Sequence, residues 1–123
     1  IMPFTHEQRP LYEVKANLFK GLAHPFRIRI LELLSSSPEV TVAALQSETE
    51  LEASHLSQHL AVLRRHRLVE SERRGSHVFY RLADPRVGDL LAVARALLIG
   101  VLESDEARLQ HARSLPPFGT LAT

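Results

Sequence analysis

The stretch SHLSQHLAVLRRHRLVESERRGSHVFYRL, residues 54–82, contains the patterns from which the fold of this chain is best predicted. In its first half, Leu56, Leu60 and Leu63 follow the i, i+4, i+7 spacing of a helix that buries one face. The polar residues between these leucines must then occupy the other faces of the same helix. The first half therefore predicts an amphipathic helix with a polar surface turned to solvent.

The second half contains two short segments, VESERR and HVFYRL, joined by Gly75-Ser76. In the second segment Val78, Tyr80 and Leu82 occupy alternate positions, which is the period of a half-buried strand. Glycine at the junction supplies the positive φ that a tight hairpin turn often needs. This half predicts a two-stranded hairpin directly after the helix.

Three more helices are predicted before this stretch and one after it. Apolar residues at helical spacing begin at Leu11, and Pro25 ends that first helix and starts a second. Thr41 is a suitable N-cap for a short third helix over roughly residues 42–48. After the hairpin, Asp84-Pro85 is a helix-start signal for a long apolar helix.

The predicted order, α-α-α-α-β-β-α, is the plan of a winged helix-turn-helix, a mainly α fold with a small β-hairpin (α+β). We expect one domain at residues 11–104, since a chain of 123 residues is in the usual size range for a single domain. Residues 1–10 lack periodicity and are expected to form a loose N-terminal arm. Residues 105–123, which include Pro116-Pro117, are expected to form a flexible C-terminal tail.

The distribution of charge is more informative than the net value of +1. Between residues 54 and 81 there are six arginines and only two acidic residues, whereas residues 1–53 carry five basic and seven acidic ones. A locally basic segment on a near-neutral chain is what a surface facing nucleic acid would produce. Charge alone favours the interpretation that these residues form an ordinary solvated face. The hypothesis of a surface that binds nucleic acid therefore depends on where the residues lie.

The side chains between the buried leucines, and those near the hairpin turn, suit contact with double-stranded DNA. Serine, histidine and glutamine hydrogen-bond to base edges and phosphates in the major groove, and arginines reach the DNA backbone. Gln58 and His59 are expected to influence sequence preference, and Arg73 and Arg74 to contribute affinity that does not depend on sequence. The full set predicted to bind DNA is Ser54, His55, Ser57, Gln58, His59, Arg64, Arg65, Arg73, Arg74, Ser76 and His77.

The last helix has more apolar side chains than one face of a helix in a small domain can bury. We therefore expect a homodimer that forms through the first and last helices. The predicted interface residues are Leu11, Val14, Leu18, Leu90, Leu91, Ala94, Leu97, Leu98 and Val101.

Residues 54–82 resemble the ArsR/SmtB family of bacterial repressors, which has a serine, a His-Leu pair and a Leu-Arg pair at this spacing. Here these are Ser57, His59-Leu60 and Leu63-Arg64. The segment FKGLAHPFRIRILELL, from Phe19, is similar to the family's early motif, and the resemblance covers roughly residues 11–104. It implies a repressor that binds a pseudo-palindromic operator as a homodimer. The chain departs from the family at His66-Arg67, where the helix commonly ends with Ala-Gly.

A metal site is an alternative use of the seven histidines. His55 and His59 stand at i, i+4, a spacing that can bind one cation, but no third ligand is evident nearby. His24 precedes Pro25 and is expected either to cap a helix or to form a hydrogen bond at the junction between the first two helices. A metal-responsive repressor with an unusual histidine site remains an alternative, which would use His6, His24 or His111.

The metal positions implied by the resemblance are mostly lost. The site near the third helix would fall around Thr41 and Ala43, which are not plausible ligands. The site on the last helix retains Asp84, but Arg86, Leu97 and Gly100 occupy its other positions. We therefore expect no metal and no other cofactor, and the effector is not identified.

Several classes of protein are excluded or disfavoured by what the sequence lacks. Without cysteine it cannot be a disulfide scaffold, a thiolate zinc finger or a thiol-based sensor. With no bilayer-length apolar run and no secretory pattern, a cytoplasmic location is expected. An enzyme is not expected, because there is no glycine-rich phosphate loop, nucleophile elbow or metal triad. A winged helix that binds proteins and not DNA remains an alternative. A module of that kind is expected to lack basic residues on its wing, whereas the wing of this chain has them.

Overall fold

The structure, a computed structural model, describes residues 5–116 and comprises two compact units that meet between Leu91 and Ala92. The predicted mainly α fold with a wing is confirmed. No helix among the described residues is long and apolar enough to span a bilayer. The elements in chain order are α1 Arg9–Leu22, α2 Pro25–Ser35, β1 Val40–Thr41, α3 Val42–Thr49, α4 Ala53–Arg65, β2 Val69–Arg74, β3 His77–Leu82 and α5 Arg86–Arg113.

Side-chain caps begin the second and third helices, as the sequence predicts. His24 Nδ1 accepts a hydrogen bond from the Phe26 backbone N–H at 3.2 Å, and Thr41 Oγ1 accepts one from the Ala44 N–H at 3.1 Å. Both capping residues have extended backbone, which lets the side chain fold back over the first turn. Pro25 occupies the first position of α2, where a missing N–H costs nothing.

Helices α2, α3 and α4 share one leucine-rich core. Leu56, Leu60 and Leu63 of α4 are at most 3% exposed, which confirms the predicted buried stripe. Because α4 buries this stripe, its orientation against the core is fixed by packing. The other buried residues of the core are Leu22, Ile30, Leu31, Leu34, Leu45, Leu68, Val69, Tyr80 and Leu91.

Three residues predicted at a dimer interface contribute to the core of a single chain. Leu91 is 8% exposed and belongs to the core, and Leu18 and Leu90 are partly buried against it. The interface predicted from the sequence includes apolar residues along the whole last helix, but the first turns of this helix close the core. Helical spacing alone does not distinguish a face that packs on its own chain from one that packs on a second copy.

The wing is part of a three-stranded antiparallel sheet with the order β1-β3-β2. β2 and β3 form the predicted hairpin and pair along their whole length, with Gly75 at φ 62° in the turn. β1 was not predicted, because two residues are too few to show a period. It pairs with β3 through Val40 and Tyr80, and so joins the wing to the start of α3.

Helix α5 is longer than the sequence indicated. A flexible tail was expected from residue 105, but helical backbone continues to Arg113. Strong helix formers such as alanine, leucine, glutamate and arginine dominate this segment, and no proline interrupts it before Pro116. At the other end, α1 begins at Arg9, two residues before the predicted start. Residues 1–4 of the predicted arm and 117–123 of the predicted tail lie outside the described residues.

Helix α4 ends with a left-handed residue that is not glycine. Arg67 has φ 59°, and the Leu68 N–H donates to the Leu63 carbonyl at 2.9 Å, a chain reversal that depends on this conformation. A residue with a Cβ atom pays about 1 kcal/mol for it relative to glycine. His66-Arg67, in place of the family's Ala-Gly, therefore makes the helix end less stable and leaves its geometry intact.

We expect Arg67→Gly to raise the free energy of unfolding by about 1 kcal/mol, because glycine adopts this φ without a Cβ clash. The matched control is Arg67→Ala, which removes the same charge but keeps the strain, and it should change stability by less than about 0.5 kcal/mol. Urea denaturation followed by circular dichroism measures both. An equal gain from glycine and alanine would show that the charge, and not the backbone, is responsible.

Candidate nucleic-acid interface

The surface of α4 opposite its buried leucines is polar and exposed. Ser54, Gln58 and Arg65 lie about half a turn around the helix from the leucine stripe, and all three are exposed. His55 and Ser57 are also exposed on the flanks of this surface. A helix with short or planar hydrogen-bonding side chains along one open face is suited to a DNA major groove.

His59 differs from these neighbours because its ring packs against the start of α2. The ring centroids of His24 and His59 are 4.4 Å apart, and the Phe26 ring lies 6.0 Å from that of His59. The helical spacing predicts that His59 lies off the leucine stripe, among the residues that contact bases. The structure shows it half-buried between two helices, where it helps to position α4 on α2.

The environment of His59 favours its neutral form. Burial holds the pKa of His59 below its ordinary value, and the nearby His24, Arg27 and His55 lower it further. His24, which accepts the Phe26 N–H at its Nδ1, lies at the same contact. The contact between α2 and α4 therefore brings two imidazole rings close together, and that of His59 is favoured in its neutral form.

The wing presents two different faces because side chains alternate along a strand. One face carries Ser71 and Arg73 of β2 together with the buried Tyr80 of β3. Arg64 of α4 donates a hydrogen bond to Ser71 Oγ at 3.4 Å, so this face is the one next to α4. Arg73 lies on the same face, exposed and with no ion pair among residues 5–116.

The opposite face of the wing, called the outer face below, carries charges of both signs. Arg81 pairs with Glu70 at 3.2 Å and with Glu72 at 3.5 Å. Three carboxylates and two guanidinium groups leave this face without net positive charge. Its residues are Glu39 before β1, Glu70, Glu72 and Arg74 on β2, and His77, Phe79 and Arg81 on β3.

Arg74 is held on the outer face by three side chains. Its guanidinium bonds to Glu39, reaches Glu72 at 3.5 Å, and lies 3.8 Å from the centre of the Phe79 ring. The hydrogen bond lowers the pKa of the Glu39 carboxyl and raises that of Arg74. The sequence treated Arg73 and Arg74 as equivalent contacts to the DNA backbone. The structure separates them, because adjacent residues of a strand point to opposite faces.

Glu39 is the residue of this region that sequence reasoning missed. It lies 35 residues from Arg74 in the chain, and only the pairing of β1 with β3 brings the two together. The hairpin turn itself agrees with expectation. Ser76 and His77 are exposed there, and the His77 ring meets the edge of Phe79 at a centroid distance of 6.4 Å.

Within residues 5–116, no group of three or more histidine, cysteine, aspartate or glutamate side chains is placed to hold a metal ion. The centroid of the His59 ring lies 4.4 Å from that of His24, at its contact with the start of α2. Asp84, the family metal position that this chain retains, bonds to the Arg86 guanidinium at 2.7 and 3.0 Å and to its backbone N–H at 2.8 Å. These bonds lower the pKa of Asp84 to about 2 and use its carboxylate to begin α5.

Since folding lowers the pKa of His59, its neutral form contributes stability that is complete above the ordinary histidine pKa of about 6.5 and is lost as the pH falls below it. We expect the free energy of unfolding to fall between about pH 7.5 and pH 5.5, and His59→Gln to flatten that fall. Urea denaturation across the range measures the slope. The control His111→Gln, which removes an exposed imidazole from α5, should leave the slope unchanged. Equal flattening in both variants would contradict the assignment.

Comparison with known proteins agrees with this geometry. A family model described as a helix-turn-helix domain matches residues 22–72. The chain is 47% identical over 108 residues to the uncharacterised HTH-type transcriptional regulator Rv0081 of Mycobacterium tuberculosis, over 88% of this chain and 95% of that one. It is 39% identical over 80 residues to the transcriptional activator HlyU of Vibrio cholerae, over 65% and 73% of the two chains. It is 34% identical over 82 residues to the biofilm growth-associated repressor of Agrobacterium fabrum, over 67% and 69%.

Solved structures show the same fold. The crystal structure of Rv0081 gives a TM-score of 0.72 at 49% identity, over 78% of this chain and 96% of that one. The solution structure of the homodimeric winged helix-turn-helix DNA-binding domain of Mb0332 from Mycobacterium bovis, a possible ArsR-family regulator, gives 0.70 at 28% identity, over 80% and 90%. With its α4 surface, its wing and these relatives, the chain belongs to the ArsR/SmtB-like family of winged helix-turn-helix transcriptional regulators.

Proposed function

We propose that this protein binds an operator in double-stranded DNA as a homodimer and represses transcription from it. The observation that carries the proposal is the exposed polar surface of α4 beside the α4-facing side of the wing. Ser54 and Gln58 offer hydrogen bonds to base edges, and Arg65 and Arg73 offer positive charge to phosphates. In a winged helix of this kind α4 enters the major groove, and the wing contacts the adjacent backbone.

A second copy accounts for apolar side chains that this chain leaves exposed. Leu11 of α1 is 71% exposed and Leu97 of α5 is 69% exposed. Exposed apolar area of this kind is stabilised by contact with another surface, at about 25 cal/mol per Å² buried. The Mb0332 domain is described as homodimeric, which supports the same assembly here. The exposed members of the predicted interface are Leu11, Val14, Ala94, Leu97, Leu98 and Val101.

A twofold dimer explains the expected form of the operator. Two α4 helices related by a twofold axis meet successive major grooves about one helical turn apart, so the two half-sites form a pseudo-palindrome. Such a dimer represses by occupying promoter DNA that the polymerase needs. Among the relatives one is named a repressor and another an activator, so family membership does not decide whether a member represses or activates transcription. A regulator of this kind acts in the cytoplasm, where the DNA is, and we propose no catalytic role for it.

Fluorescence anisotropy with the promoter of the protein's own operon tests the proposal. We expect strongly salt-dependent binding, which Arg73→Ala weakens about five- to tenfold while reducing the salt slope by about one. The matched change Arg74→Ala should have a smaller effect, because Glu39 and Glu72 already neutralise that side chain. A larger loss for Arg74→Ala would reverse the assignment of the two wing faces. If the intact protein bound no duplex, a protein-interaction module would become the better account.

The dimer has its own test in Leu97→Glu. A carboxylate in an apolar interface loses its hydration without a partner, so we expect this variant to sediment as a monomer at micromolar concentration. It should also bind the full operator more weakly than the parent protein. Ser47→Glu, which adds the same charge to an exposed position of α3, should remain dimeric. A Leu97→Glu protein that stays dimeric would place the interface elsewhere.

A further inference from the structure

The outer face of the wing contains an arrangement that contact with DNA does not require. Arg74 bonds to Glu39, approaches Glu72 and stacks on Phe79, although it stands next to the hairpin turn. Its neighbour Arg73 carries the same charge and has no ion pair among the described residues. A basic side chain at the tip of a DNA-binding wing is thus bound to the protein itself.

We propose that Glu39 is a positioning residue of the wing, which holds Arg74 away from DNA and attaches the hairpin to the segment between α2 and α3. Only the α4-facing side of the wing, with Arg73, then meets the phosphate backbone. The inference rests on the proposed DNA-binding function and goes beyond it, because it assigns a source of specificity to a residue outside the DNA contact.

The position of β1 explains why the hairpin benefits from this attachment. β1 pairs with β3 only at Phe79 and Tyr80, so residues 73–78 at the tip have no third strand. The Arg74 side chain starts beyond the end of β1 and runs back over the Phe79 ring to Glu39, which precedes β1. One side chain therefore connects the two-stranded tip to the three-stranded base. Guanidinium stacking on the aromatic ring restricts the rotamers that Arg74 can adopt.

The charge balance gives this contact a second effect. Non-specific affinity for DNA depends on how many phosphates the protein neutralises, whatever the sequence. Specific affinity also requires that α4 be aligned with the base edges. A free Arg74 would add one cation to a flexible tip and would strengthen binding to any duplex. Glu39 suppresses that contribution and so raises the ratio of specific to non-specific binding.

The decisive variant is Glu39→Gln, which keeps the shape of the side chain and removes its charge. We expect affinity for a non-specific duplex to rise about two- to fivefold, the range that corresponds to losing an exposed ion pair, and its salt slope to steepen by about one. Operator affinity should rise less, so that the specificity ratio falls. Glu70→Gln is the matched control, since it removes one carboxylate from the same outer face and leaves the Glu39–Arg74 contact in place.

Two further measurements separate this role from a general effect on folding. The double variant Glu39→Gln/Arg74→Gln has no arginine to release, and its non-specific affinity and salt slope should return to those of the parent protein. Amide hydrogen exchange at residues 73–77 should be faster in Glu39→Gln than in Glu70→Gln. A loss of folding alone would weaken operator and non-specific binding together.

The proposal is overturned if Glu39→Gln and Glu70→Gln change non-specific binding equally, or if the double variant keeps the gain. Failure of the proposed function has a different signature, because the parent protein itself would then bind no duplex. In that event hydrogen exchange still decides whether Glu39 attaches the wing, and equal exchange in the two single variants would overturn the positioning role as well.

Discussion

Burial of the leucine stripe orients α4 and, through α4, the elements that pack around it. Leu56, Leu60 and Leu63 are at most 3% exposed, and truncating such a residue to alanine typically costs about 2–5 kcal/mol. That is a large share of the total stability of about 5–15 kcal/mol expected for a domain. Because this face of α4 must be buried, the opposite face must be exposed to solvent. The open polar surface of α4 is therefore a consequence of packing.

The contacts around α4 extend this constraint to its neighbours. His59 packs against His24, which itself caps α2, so the start of α2 and the middle of α4 are positioned together. On the other side Arg64 bonds to Ser71 of β2 and relates the wing to the same helix. Because adjacent residues of a strand point to opposite faces, Arg73 lies on the face of the wing next to α4 and Arg74 lies on the outer face. The positive charge available to DNA is thus concentrated on one side of the wing.

The elements with a clear periodicity could be predicted from the sequence. The leucine stripe, the hairpin, the caps at His24 and Thr41 and the start of α5 at Asp84-Pro85 depend on residues within a few positions of each other, and all are present. The predicted tail from residue 105 was wrong as far as Arg113, because the prolines on which it rests, Pro116 and Pro117, lie beyond the helix and do not interrupt it.

The features that escaped prediction depend on contacts between distant parts of the chain. Glu39 meets Arg74 only through a two-residue strand, and His59 meets His24 only because α2 and α4 are packed. Leu91 belongs to the core because it lies in the first turns of α5, which pack against the rest of the chain. Leu98, two helical turns later at the same helical spacing, is exposed. Sequence spacing identifies the side chains that are candidates for a DNA-binding surface. Tertiary contacts determine which of these side chains stay exposed and which are held by other parts of the protein.

In the proposed complex, DNA contacts the exposed surface of α4 and the α4-facing side of the wing. The most direct measurement is an NMR titration of the isotopically labelled dimer with operator duplex, followed through backbone amides and arginine Nε–H signals. We expect large shifts at Ser54, Gln58 and the Arg73 side chain, with the Arg74 Nε–H signal nearly unchanged. Shifts at Arg74 without shifts at Arg73, or an α4 surface that does not respond to DNA, would contradict the proposed complex.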